Sequence, residues 1–171
     1  MAIIAGVEEA GRGPVIGPLV MAVVSLEEDE EQRLINVGVK DSKKLTPVQR
    51  DRIFDSLHVM EQKGVIKFII KIVSAQEIDN ALNSPDTNLN WLEGDTSAVL
   101  INGLLQDTNI GKVWLDCPSN NIKSYQEFVK KKLSKPIEVI AEHKADENYP
   151  VVAAASILAK VTRDREIEKL K

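Results

Sequence analysis

The sequence predicts an α/β fold in one domain spanning residues 1–171. Three observations lead there. Five short runs rich in β-branched and apolar residues alternate with helix-length segments in the order β-β-α-β-α-α-β-α-β-α. Helix-start signals, a Ser or Thr followed three residues later by Gln or Glu, stand at Thr46, Ser74 and Ser124. No internal repeat, low-complexity linker or obvious boundary divides the chain.

Taken in order, Ile3 to Glu9 and Pro18 to Leu26 read as strands from their β-branched and apolar content. Gly11-Arg12-Gly13-Pro14 makes a turn between them, and Gly17-Pro18 adds a second break. Their close spacing suggests an antiparallel pair. Glu27 to Arg33 follows as a polar connection. Thr46 caps a helix with Pro47 in its first position and Gln49 closing the capping box; it runs to about Gln62 and stops near Gly64. Val65 to Val73 is the third strand. Ser74-Ala75-Gln76-Glu77 opens a short helix, and Asn83-Ser84-Pro85-Asp86 is a loop. Leu89 to Leu105 carries Leu89, Leu92, Val99, Leu100 and Leu104 at helical spacing. Lys112 to Asp116 is a short strand ending in an acid. Ser124 to Glu127 opens a helix through about Leu133, and Ile137 to Ala141 is the last strand. Tyr149 to Lys171 is a long helix, apolar at first and highly charged later.

A chain of 171 residues can bury a substantial core, and 43% hydrophobic with 28% charged residues is ordinary for a soluble globular protein. The longest uncharged apolar stretch, Val151 to Ala159, is too short to span a bilayer. The N-terminus lacks the basic segment and cleavage site of a signal peptide. The expected compartment is therefore the cytoplasm, with no membrane partner, and the expected state is a monomer. Cys117 is the single cysteine, which excludes an intramolecular disulfide; two histidines, His58 and His143, argue against structural zinc. With a net charge of −4, nucleic-acid binding would have to use local basic patches. Candidates are Lys43-Lys44, Lys130-Lys131-Lys132, Lys144 and Lys160/Arg163/Arg165. Taken alone, each reads as a solvated helix or loop face.

Four carboxylates stand where strands end or helices begin: Glu8, Glu9, Asp116 and Asp146. Acids at such positions in α/β folds often converge at one edge of the sheet. Clustered carboxylates stay ionised only beside a compensating cation, and an all-oxygen donor set favours Mg²⁺ or Mn²⁺. Two such ions about 4 Å apart stabilise both the attacking and leaving oxygens of a phosphoryl displacement. Gly6-Val7-Glu8-Glu9-Ala10-Gly11-Arg12-Gly13-Pro14 adds a glycine-flanked arginine directly after two of the acids. A guanidinium beside backbone-exposing residues attracts phosphate. Taken singly, each acid reads as a solvated turn residue.

That stretch resembles the opening motif of the ribonuclease HII family, usually Gly-(Ile/Val)-Asp-Glu-Ala-Gly-Arg-Gly-Pro. Val39-Lys40-Asp41-Ser42-Lys43-Lys44-Leu45 resembles the family's Asp-Ser-Lys-Lys-Leu block, and Trp114-Leu115-Asp116-Cys117-Pro118 its third-acid strand. Ala141 to Asp146, with Tyr149 to Val161 and Arg163-Asp164, resembles the fourth-acid block and following helix in the form of archaeal members. The resemblance covers essentially the whole chain. It implies a ribonuclease H-like fold: a mixed five-stranded sheet with helices on both faces. It also implies endonucleolytic cleavage of the RNA strand of RNA–DNA hybrids, and of duplex DNA at embedded ribonucleotides, with two Mg²⁺ or Mn²⁺ ions per site. By motif position, Glu8, Glu9, Asp116 and Asp146 are the metal-holding catalytic acids. Arg12, with Gly11 and Gly13, would read the ribose 2′-hydroxyl at the RNA–DNA junction, the group that distinguishes RNA from DNA. Lys43, Lys44, Ser156 and Lys160 would contact phosphates; alternatively the lysines belong to a capped turn and Ser156 to helix packing.

Two departures from the family pattern carry consequences. Glu8 stands where the family has aspartate, and the extra methylene moves the carboxylate by up to about 1.5 Å. In the implied two-metal scheme this acid bridges both ions, and a misplacement near 1 Å can cost on the order of 10²-fold in rate. The chain also stops at Lys171, whereas the family implies a further C-terminal helical part with a tyrosine that stacks near the junction ribose. Weaker substrate binding and junction selectivity are expected without it. The leading reading is a hybrid-specific endoribonuclease of full or reduced activity; the second is a catalytically silent hybrid-binding module, and the Gly11-Arg12-Gly13 block argues against a third, another two-metal nuclease of the same fold.

Overall fold

Residues Ile3–Ala10 form the central strand, β1, of a five-stranded sheet. The computed structural model describes residues 2–11, 17–39 and 42–171, with Ser42 described by its backbone alone. β1 pairs antiparallel with β2 (Leu19–Glu27), which pairs antiparallel with β3 (Ile66–Val73). On its other side β1 runs parallel to β4 (Ile110–Asp116), and β4 runs parallel to β5 (Glu138–Glu142). The sheet order is β3-β2-β1-β4-β5, a mixed sheet as the family resemblance implies.

Strand alternation divides the core in two. Ile4, Val20, Ala22, Val24 and Ile66 face one way, toward α1 (Glu31–Val37), α2 (Pro47–Gln62) and α7 (Pro150–Lys169). Ala5, Val7, Met21, Val23, Val113, Leu115 and Val139 face the other, toward α4 (Leu89–Leu105) and α5 (Ile122–Lys131). α3 (Ala75–Asn83) packs on α4. Among the described residues, no helix is long and apolar enough to cross a membrane.

The capping boxes at Thr46 and Ser74 form as expected, each with both reciprocal hydrogen bonds. The third does not. Asn121 caps α5, its side chain accepting from the Ser124 amide at 3.0 Å, so the helix begins three residues before the Ser124 signal. An Asx cap competes well with a Ser cap, and the earlier start adds a turn. The polar connection after β2 is also more ordered than expected. Glu28–Glu30 is a 3-10 turn leading into α1, which is anchored by the fully buried Leu34 and stopped by Gly38 at φ +95°. One apolar anchor in an acidic segment leaves no periodic pattern to read. A further short helix, α6 (Ala145–Asn148), follows β5.

Candidate active site

Alternation along β1 sends Glu8 and Glu9 to opposite faces. Glu8 lies on the face of Ile4, beneath α7, and Glu9 on the face of Ala5 and Val7. β4 runs parallel beside β1 with Leu115 opposite Val7, so Asp116 leaves the sheet at the same end and on the same face as Glu8. Asp146 arrives from α6. Lys144 turns the chain in the left-handed region, φ 57°, and the Ala145 amide donates to Asp116 Oδ1 at 3.1 Å. The result is that carboxylate oxygens of Glu8, Asp116 and Asp146 lie within 4.8 Å of one another.

α7 closes this face. A Cβ on Gly6 would lie 2.7 Å from the Val152 nitrogen and 2.8 Å from the Val151 carbonyl carbon. The first residue of the opening motif is thus a glycine because helix backbone rests directly on the strand there. The Tyr149 ring stacks on Trp114 at 4.6 Å between centroids, and its hydroxyl donates to Glu142 at 2.7 Å. These contacts fix the start of α7 against β4 and β5.

The cluster crowds three carboxylates together, with Lys43 and Lys160 in the same cavity. Glu8 is 5% exposed. Burial, then the charges of Glu9 and Asp116, push its carboxyl well above the usual range. Burial also raises Asp116, against the lowering effect of its hydrogen bonds with Glu8 and the Ala145 amide. Asp146 in turn raises Lys43, while burial lowers Lys160. An all-oxygen set with this much unrelieved repulsion fits a hard divalent cation.

Glu8, Glu9, Asp116, Asp146, Lys43, Ser156 and Lys160 line one cavity of about 320 Å³. Ser156 is buried, one turn of α7 before Lys160. Lys43 sits on the 3-10 turn Ser42–Lys44, its Nζ 3.5 Å from Glu147. Lys44 is exposed on the same turn. Gly11 is half-buried beyond the end of β1 at φ +97°. Arg12 and Gly13 lie outside the described residues, as do Lys40 and Asp41. Lys144, one of the basic-patch candidates, also lines the cavity, and sequence reasoning missed two lining residues, Cys117 and His143. His143 Nε2 is 2.7 Å from the Ser119 carbonyl oxygen, which ties the loop after β4 to the one after β5. Its place three residues before Asp146 was the available signal.

The model of the family described as ribonuclease HII matches residues 5–171. The chain belongs to the ribonuclease HII family. Among curated ribonuclease HII proteins, that of Pyrococcus abyssi is 44% identical over 169 residues, 98% of this chain and 70% of the relative. The crystal structure of ribonuclease H2 from Pyrococcus horikoshii superposes with a TM-score of 0.86 at 44% identity, over 99% of this chain and 75% of that one. A ribonuclease HII from Archaeoglobus fulgidus, solved in complex with PCNA, superposes with a TM-score of 0.84 at 37% identity, over 98% of this chain and 75% of that one. As a ribonuclease HII the chain is a metal-dependent endoribonuclease with the ribonuclease H-like fold.

Proposed function

We propose that this ribonuclease HII hydrolyses the RNA strand of RNA–DNA hybrids, and duplex DNA at embedded ribonucleotides, at a two-ion site held by Glu8, Glu9, Asp116 and Asp146. The observation that carries the proposal is the convergence of the Glu8, Asp116 and Asp146 carboxylates at the carboxyl ends of parallel neighbours β1 and β4. Bound divalent ions would supply charge stabilisation of the phosphoryl group and an activated water. Glu9 reaches the same cavity from the other face of β1. Lys43, Lys44 and Lys160 would hold phosphate groups as point charges, and Ser156 would donate a hydroxyl beside Lys160. Arg12, with the backbone of Gly11 and Gly13, would meet the ribose 2′-hydroxyl. All these groups come from one chain, so a monomer suffices.

Glu8 is where activity would be limited. Its longer side chain shifts the carboxylate toward the position an ion needs, and Mg²⁺ requires near-ideal octahedral contacts at about 2.0–2.1 Å. The test is cleavage of a duplex carrying a single embedded ribonucleotide, with Mg²⁺ and then Mn²⁺. Cleavage by the natural chain that Glu9→Gln and Asp116→Asn abolish supports the enzyme. Glu8→Asp is expected to raise the Mg²⁺ rate by on the order of 10–10²-fold. Binding with no cleavage until Glu8→Asp restores it would favour a silent hybrid-binding module. Cleavage that persists in both Glu9→Gln and Asp116→Asn would overturn the site.

A further inference from the structure

Lys144 ends the loop between β5 and α6 in a conformation that its own side chain opposes. Its φ is 57°, and among the described residues it is the one non-glycine with a positive φ. The left-handed region crowds a Cβ against the following carbonyl oxygen, so glycine or asparagine is the ordinary occupant. The neighbours hold the backbone there. His143 Nε2 lies 2.7 Å from the Ser119 carbonyl oxygen on one side, and the Ala145 amide donates to Asp116 Oδ1 at 3.1 Å on the other. The Lys144 carbonyl accepts from the Glu147 amide at 3.0 Å. The lysine side chain takes no part in this. It caps no amide of α6, and among the described residues no hydrogen bond or ion pair engages it. The residue is exposed and lines the cavity of Glu8, Glu9, Asp116 and Asp146. Lys43 in the same cavity differs, with its Nζ 3.5 Å from Glu147.

Backbone strain of this kind persists where the surroundings over-determine it, and it clusters at functional sites. Glycine would satisfy the turn. What lysine adds is an ammonium on a fixed backbone, beside four carboxylates that by themselves repel a phosphodiester. We infer that Lys144 is a substrate-binding residue: its ammonium meets a backbone phosphate of the nucleic acid drawn to this cavity. The inference rests on the reading of the cavity as the hydrolytic site and adds a cation to those that hold its substrate. Lys43 and Lys160 reach the cavity from the Ser42–Lys44 turn and from α7. Lys144 reaches it from the segment that also carries Asp146. A carboxylate for the ions and a charge for the substrate then share one rigid stretch of backbone, and a contact held in place before binding has less freedom to lose.

The test measures binding and stability, so it does not depend on turnover. A labelled RNA–DNA hybrid is titrated in EDTA over a series of salt concentrations with the natural chain, Lys144→Gly, Lys144→Asn and Lys144→Arg. Urea unfolding of each is followed in the same buffer. Removing one phosphate contact lowers the slope of log affinity against log salt by about 1. That loss is expected in Lys144→Gly and Lys144→Asn, while Lys144→Arg keeps the natural slope. Both neutral variants should unfold at the same or a higher urea midpoint, because glycine and asparagine accept the left-handed backbone. Weaker binding beside undiminished stability is a pairing that a purely structural residue does not give. A natural slope in Lys144→Gly overturns the inference alone. A lower midpoint in both neutral variants also overturns it, since the ammonium would then serve as a counter-charge for the acids. A natural chain that does not bind the hybrid at all overturns the reading of the cavity, and this inference with it.

Discussion

Glu8 is buried beside other carboxylates near the end of β1. Its neutral form is favoured in the folded chain, so the folded state holds a proton there that the unfolded state releases at ordinary carboxylate pH. The sign follows: between the usual carboxylate pKa and the raised one, the folded state binds more protons, and metal-free stability falls as pH rises through that window. Urea unfolding in EDTA across a pH series should record this fall. Glu8→Gln should flatten it and stabilise the metal-free chain at neutral pH by about 1–2 kcal/mol, an ordinary single-substitution effect with the sign of a stability–function trade. Divalent ions should reverse the fall in the natural chain and lose most of that effect in Glu8→Gln, read as a shift in midpoint with Mg²⁺ or Mn²⁺. A flat profile in the natural chain would contradict the raised Glu8 carboxyl.

At the scale of elements, the site depends on how closely α7 lies against β1. Gly6→Ala places a methyl group against the Val151–Val152 backbone, which has no flexible end to swing aside. The expected cost is about 1–3 kcal/mol in unfolding free energy, with reduced cleavage as Ser156 and Lys160 move off the cavity. Tyr149→Phe keeps the stack on Trp114 and loses the hydrogen bond to Glu142, so a smaller loss of about 1 kcal/mol is expected by denaturant midpoint. Much of this level was legible in the sequence. Period-two alternation separates Glu8 from Glu9, and both the Thr46 and Ser74 boxes start their helices where the pattern says. Helix α1 was not legible, because Leu34 is its one fully buried side chain. Nor was α6, which owes its place to a left-handed Lys144 and to a hydrogen bond from Ala145 to Asp116, a contact between segments that sequence spacing cannot supply. The convergence of Asp146 with Glu8 was expected from the placing of the acids and from the motif order; the contacts that bring it about are tertiary. Gly6 was legible as part of a motif, but its packing role needed the helix above it.

The whole molecule carries a net charge of −4, so its grip on a polyanion must come from a local field. Lys43 and Lys160 line the cavity with the acids, Lys44 follows Lys43 on the same turn, and Asp146 raises the pKa of Lys43. Binding to a hybrid should weaken with salt, each neutralised phosphate adding about 0.9 to the log–log slope for a B-form duplex. Lys43→Ala/Lys44→Ala should lower that slope by about 1–2 without changing the preference for the ribonucleotide duplex. An unchanged slope would remove the two lysines from the interface. Strand parity also fixes where the chain tolerates changes of length. Deleting one residue between Ile3 and Val7 would bring Glu9 to the place of Glu8 and Ala10 to the place of Glu9, leaving the cavity one acid short. Residues 75–88 make no such demand: α3 rests on α4 and reaches none of the four acids. Residue count is thus a functional constraint in β1 and a free parameter around α3, and insertions that preserve cleavage should accumulate in the second region and be absent from the first.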